Sequence, residues 1–270
     1  MKLNSRVLAL SLALLAITPT AFAHKAWIMP SQTVISGENP SVTFDAAISN
    51  DLFYFNHVPM PVERISVTAP DGSKVDVTNA AKLKYRSVFD LDLKQKGTYR
   101  IASVNSGLTA TWDENGTAKR WRGAPSAFAS EVPAAAKDLK VMQTVGRVET
   151  FVTYGEPSTS ALKLVGEGIE MVPVTHPNDL VDGEEATFKL MIDGKPAKGL
   201  EIEIVQGATR YRNSQDEMKV TTAADGSFKV TFKQPGMYWL ETTWSDAKTS
   251  VPQAKERRLS YVATLEVLPQ

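Results

Sequence analysis

The chain contains no cysteine. That excludes disulfides, thiolate zinc sites, iron–sulfur clusters and thiol nucleophiles together. It carries no charge excess: 30 Lys and Arg balance 30 Asp and Glu. A nucleic-acid binder would show a basic excess or stripe, so that class is disfavoured. Histidine is scarce, with only His24, His57 and His176. The signatures G-x-S-x-G, G-x-G-x-x-G, H-E-x-x-H and the P-loop are all missing. What is present is 270 residues, 43% of them apolar, enough for one or two ordinary cores.

The first 23 residues have the pattern of a cleaved leader. Lys2 and Arg6 form a positive start, Val7 to Ile17 an apolar run, and Ala21-Phe22-Ala23 a small-residue cleavage site. The apolar run is shorter than the roughly 20 residues a bilayer requires, and no later segment reaches that length. The expectation is a periplasmic or secreted protein. Cleavage would remove two basic residues and no acid, leaving a slight acidic excess. It would also make His24 the first residue, with a free amine and an imidazole on one side chain's reach of each other.

β-signals dominate the rest. Runs such as Ser41–Phe44, Ile65–Thr68, Thr98–Ile101 and Arg147–Val152 are rich in β-branched and aromatic residues and are separated by turn formers. Glu201–Val205 alternates, and Ser227–Phe232 follows an Asp225-Gly226 turn. Gly37-Glu38 is answered by Gly183-Glu184, and Gly97-Thr98-Tyr99 by Gly236-Met237-Tyr238. This points to an all-β protein of two tandem antiparallel, immunoglobulin-like sandwiches, in which a tyrosine near a penultimate strand anchors a corner. The expected units are residues 24–157 and 158–270, with a polar linker near Tyr154-Gly155-Glu156-Pro157. Residues 113–140 read as an elaborated loop, bordered by Trp112 and Trp121 and with a short helix from Ser130 toward Lys140.

With so little soft chemistry available, His24, His57 and His176 are the candidate metal ligands. The His24 amine and ring with the His57 ring would offer three nitrogens, a set suited to Cu(II) or Ni(II). Met29, Met60 and Met171 each lie within five residues of a histidine, a spacing that favours copper slightly but also fits ordinary core methionines. His176, before Pro177, has a sufficient backbone reason to sit in a loop.

The sequence resembles the secreted family filed under domain of unknown function 4198, related to periplasmic components of nickel and cobalt uptake. The resemblance rests on His24-Lys25-Ala26-Trp27-Ile28-Met29-Pro30, Phe55-Asn56-His57-Val58-Pro59-Met60 and Thr175-His176-Pro177-Asn178-Asp179. It continues through Thr209-Arg210-Tyr211-Arg212 and Gly236-Met237-Tyr238-Trp239-Leu240-Glu241. It implies a periplasmic β-sandwich tied to handling of Ni, Co or Cu, and it supplies no reaction. The leading expectation is therefore a metal-binding protein for uptake, delivery or sensing, working with an envelope transporter or outer-membrane receptor.

Two other readings stand beside it. The tandem sandwiches could be a non-catalytic interaction module, presenting the loop between Trp112 and Trp121, with Lys119, Arg120 and Arg122, to a partner. Alternatively, the N-terminal histidine could serve a copper oxidase like the lytic polysaccharide monooxygenases, although no flat aromatic platform accompanies it. Arg210 and Arg212 could present guanidinium groups to an anion, or end a strand in solvent.

Overall fold

The computed structural model describes residues 24–270, so the expected leader lies outside the described residues. In the first half the principal strands are β1 (Lys25–Pro30), β2 (Ser41–Ser49), β3 (Ile65–Thr68), β4 (Lys74–Val75) and β5 (Ser87–Asp92). They are followed by β6 (Gly97–Glu114), β7 (Thr117–Gly123) and β8 (Lys137–Tyr154). The second half holds β9 (Ile169–Pro173), β10 (Glu185–Ile192), β11 (Glu201–Gln206), β12 (Met218–Thr221) and β13 (Ser227–Thr231). It ends with β14 (Gly236–Asp246) and β15 (Glu256–Val267).

The halves repeat one topology. In the first, β1-β2-β5 form one sheet and β4-β3-β6-β8 the other; in the second, β9-β10-β13 answer β12-β11-β14-β15. Each sandwich closes over its own apolar cluster, with Phe44, Phe89 and Ile101 in one and Phe188, Phe228 and Leu265 in the other. Both expected tyrosine corners form. The Tyr99 hydroxyl donates to the Gln95 carbonyl at 3.0 Å, and Tyr238 does the same to Gln234 at 2.8 Å. Before them Gly97 and Gly236 take φ of 126° and 135°, values that a side chain would resist.

The halves are joined by more than a linker. The boundary expected at residue 157 falls between β8 and the turn Ser160–Leu162, yet one sheet crosses it. β8 and β15, each the last strand of its half, pair in parallel from Met142↔Glu256 to Thr150↔Thr264. A third apolar cluster fills the seam, with Trp27, Ala47 and Leu52 from the first half against Val205, Trp239 and Val262 from the second.

Residues 113–140 correct the loop expectation. β6 runs on to Glu114 and turns into β7, forming a hairpin in which Trp112 faces Lys119. The helix is one turn, Phe128–Glu131, and ends before Pro133 because the preceding Val132 is held extended. From Lys137 the chain is already strand. Trp121 packs edge-on against Phe128, and its indole N–H donates to Glu131 at 2.7 Å, so this ring is committed within the hairpin.

Candidate functional site

β2 is the central strand at the site. β1 runs along one side, with Lys25 opposite Ser49; Val58–Pro59 runs along the other, with Val58 opposite Ile48. His24 and His57 each precede the first paired residue of their segment, so both arrive at the same end of β2. Their rings stack there with centroids 4.2 Å apart and planes 17° from parallel. Both residues are exposed.

The loop carrying His57 is fixed from within. Asn56 accepts from the Asn50 N–H at 3.0 Å and donates to Asp51 at 2.7 Å, and its own N–H reaches the Ser49 hydroxyl at 3.3 Å. Phe53 and Phe55 from the same loop pack on Trp27, with ring centroids 5.6 and 6.1 Å away. Apolar burial thus sets the loop, and the asparagine sets its turn.

The strand carrying His24 is tied to the other half of the protein. Lys25 reaches Glu203 at 3.3 Å and lies 4.0 Å above the Trp239 ring. Trp239 in turn donates its indole N–H to the Ala26 carbonyl at 2.9 Å. Glu241 lies beside them. Burial pushes its carboxyl above the ordinary range, opposed by Lys25 and reinforced by Glu203. Sequence reading missed this Lys25–Glu203–Glu241 group because its members come from three distant strands. The only signal available was that Lys25 immediately follows His24.

His176 sits elsewhere. Its Nε2 is 2.9 Å from the Thr98 hydroxyl and 3.3 Å from the Ser158 carbonyl, while Nδ1 accepts from the Asn178 N–H. That pattern fixes the neutral tautomer with Nε2 protonated. Burial lowers the ring's pKa further. Thr98 also bonds to Thr153, which donates to the Asn178 side chain at 2.8 Å. His176 therefore staples the linker between the halves, with both ring nitrogens occupied. His24 and Gly146 of β8 border one surface depression, and Thr153 lies seven residues further along β8 from Gly146, roughly 23 Å at strand rise.

The methionines near the histidines are packing residues. Met60 and Met171 are buried in the two sandwich cores, and Met29 packs on the seam cluster. Thr209-Arg210-Tyr211 forms a single 3-10 turn. The Arg212 guanidinium donates to the carbonyls of Gln206, Gly207 and Gln215, holding its own loop, and Arg210 lies 4.5 Å over the Tyr54 ring. Arg212 is thus engaged at home rather than offered to an anion, while exposed Arg210 makes the ring contact alone among the described residues. Tyr238, Trp239 and Leu240 are core residues of β14.

Among the described residues, no group of three or more His, Asp or Glu side chains is placed to hold a metal ion. A metal here would need the two rings and a further donor from outside that set. The rings also stack by their faces, so ligation requires them to turn edge inward. Both are exposed side chains with free rotamers, which allows that turn.

Fold and site together define a tandem immunoglobulin-like β-sandwich protein with a paired-histidine surface at the start of its first strand. The chain belongs to the family described as Domain of unknown function (DUF4198), whose model matches residues 21–246. No curated protein sequence matches it. Among solved structures it is similar to the "D0-D1 domain of Intimin", with 12% identity over 89% of this chain and 97% of that one, at a TM-score of 0.22. A DUF4785 family protein from Legionella pneumophila subsp. pneumophila str. Philadelphia 1 is 11% identical over 80% of this chain and 50% of its own length, at a TM-score of 0.22. The "D00-D0 domain of Intimin" is 8% identical over 90% and 100%, at 0.20.

Proposed function

We propose that the protein binds a transition metal ion, Cu, Ni or Co, in the bacterial envelope or outside the cell, for uptake, delivery or sensing. The observation that carries this reading is the His24–His57 pair, brought from two segments to one strand end with rings 4.2 Å apart. Two exposed imidazoles in contact are a ready source of nitrogen ligands. Cleavage of the leader before His24 would add the α-amine as a third, in a chelate ring with the His24 side chain. Such a set favours Cu(II) and then Ni(II) over the earlier divalent ions. An open face toward solvent suits exchange of cargo with an envelope transporter or receptor.

The test is calorimetric titration of protein beginning at His24 with Cu²⁺ and Ni²⁺. One equivalent is expected to bind. A form acetylated on the His24 amine lacks that ligand and should bind at least about tenfold more weakly, or 1.4 kcal/mol. His57→Ala should weaken binding by a similar factor, and His176→Ala should leave affinity unchanged. Equal affinity in wild type and His57→Ala would overturn the site.

A further inference from the structure

Beside His24 a trough of about 520 Å³ opens along one face of the sheet that joins the two halves. Its lining follows strand register. Arg122 faces Thr109, which faces Met142; Arg120 faces Thr111, which faces Lys140; and Thr144 faces Arg258. Alternate residues of each strand point the same way, so these side chains share one face. Four cations, Arg120, Arg122, Lys140 and Arg258, therefore stand around it. None of them has an ion-pair partner among the described residues. From β7 across β6 and β8 to β15 there are three strand spacings, which places the outer walls about 14 Å apart.

The floor is polar. Asn105, Thr111 and Ser260 have side chains without hydrogen-bond partners among the described residues, and Gly146 lets the Ser260 hydroxyl lie close over its backbone. Thr109 and Thr144 only lean on backbone carbonyls, at 3.5 and 3.4 Å. Two carboxylates, Glu241 and Glu256, also line the trough, at its His24 end and beside Met142 respectively. The four cations outnumber them. Size, charge and free hydroxyl groups match a small, oxygen-rich anion with several carboxylates, since guanidinium groups grip carboxylates in pairs.

We propose that this trough binds a polycarboxylate, so that the metal at His24 and His57 travels as an anionic chelate rather than as a bare ion. The second clause rests on the metal reading above; the first does not. The probe is citrate without metal, titrated into protein beginning at His24. Saturable binding at one equivalent is expected, weakening as salt rises. Arg120→Glu/Arg258→Glu should weaken it tenfold or more, and so should the independent pair Arg122→Glu/Lys140→Glu. His57→Ala and the remote pair Lys82→Glu/Lys84→Glu should leave citrate affinity unchanged.

Absence of saturable citrate binding would overturn the trough, and so would equal losses in the remote pair. The two readings fail separately. Citrate binding without Cu²⁺ binding would retain the trough and remove the chelate; Cu²⁺ binding without citrate binding would retain the paired-histidine site and remove the trough and the chelate with it.

Discussion

Trp27→Ala is expected to destabilise the protein by about 3–5 kcal/mol, the range for emptying a buried aromatic site. Trp27 is fully buried in the seam cluster, between Ala47 and Leu52 of one half and Val205, Trp239 and Val262 of the other. Relaxation cannot refill that space cheaply, because two separately closed sandwiches meet there. The same ring supports Phe53 and Phe55 of the loop that delivers His57, and its strand delivers His24. Metal affinity should therefore fall with stability, even under conditions where the variant remains folded. Trp27→Phe should cost far less. Among the described residues the buried indole N–H has no partner, so phenylalanine keeps most of the packing and removes an unsatisfied donor. Urea unfolding of the three proteins tests the order, and metal titration tests the link to the site. A Trp27→Ala protein as stable as wild type would remove the seam from the account.

Arg147→Ala should cost a similar amount, about 3–5 kcal/mol, because it strips the partner from buried carboxylates. Arg147 lies 3.6 Å from Glu149 and 3.6 Å from Glu170, all three nearly excluded from solvent. Glu170 keeps two backbone donors, from Val165 and Gly166. Among the described residues Glu149 keeps only the Tyr261 hydroxyl, at 2.7 Å, and its other oxygen has no hydrogen bond. Burial already pushes the Glu149 carboxyl up from 4.5, with Arg147 pulling it down.

The sign of the pH dependence follows. A carboxyl raised on folding stabilises the folded state below its ordinary value, and that contribution is lost as pH rises through the folded value. Without Arg147 the Glu149 carboxyl rises further. The two proteins should lose stability in parallel just above pH 4.5, and their difference should widen only as pH rises through the folded Glu149 value of the wild type toward the higher one of Arg147→Ala. Arg147→Ala/Glu149→Gln should recover much of the loss and flatten the dependence. A difference that is constant with pH would show that Glu149 is not the group responsible.

The fold was largely legible because turn chemistry and strand alternation are local properties. Gly97-Thr98-Tyr99 and Gly236-Met237-Tyr238 announce equivalent corners, and both corners close as their spacing implies. The parallel pairing of β8 with β15 was not legible. It joins segments more than a hundred residues apart and leaves no mark beyond alternation in each. The part of the hairpin from Asp113 to Gly123 reads as loop within 113–140 because its outward residues are polar on both strands, which hides the period-two pattern. The same polarity hid the trough: Lys140, Thr144 and Arg258 look like solvated strand residues until register sets them on one face.

The histidines divide for a physical reason. His24 and His57 could be nominated from their types and from the leader boundary, but their contact depends on both segments flanking β2. His176 has the same side chain and a different occupation. Its two nitrogens meet Thr98, Ser158 and Asn178, and only tertiary structure provides those partners. Arg212 repeats the lesson, since its charge suggested an anion while its donors are used on three carbonyls of its own loop.

The most direct test of the paired-histidine site is pulsed electron paramagnetic resonance of protein beginning at His24 with one equivalent of Cu²⁺. The technique counts coordinated imidazoles through their remote nitrogens. Two imidazoles are expected in the wild type and one in His57→Ala, with His176→Ala retaining two. A single imidazole in the wild type, or an unchanged spectrum in His57→Ala, would contradict the assignment of His24 and His57 as ligands of one metal ion.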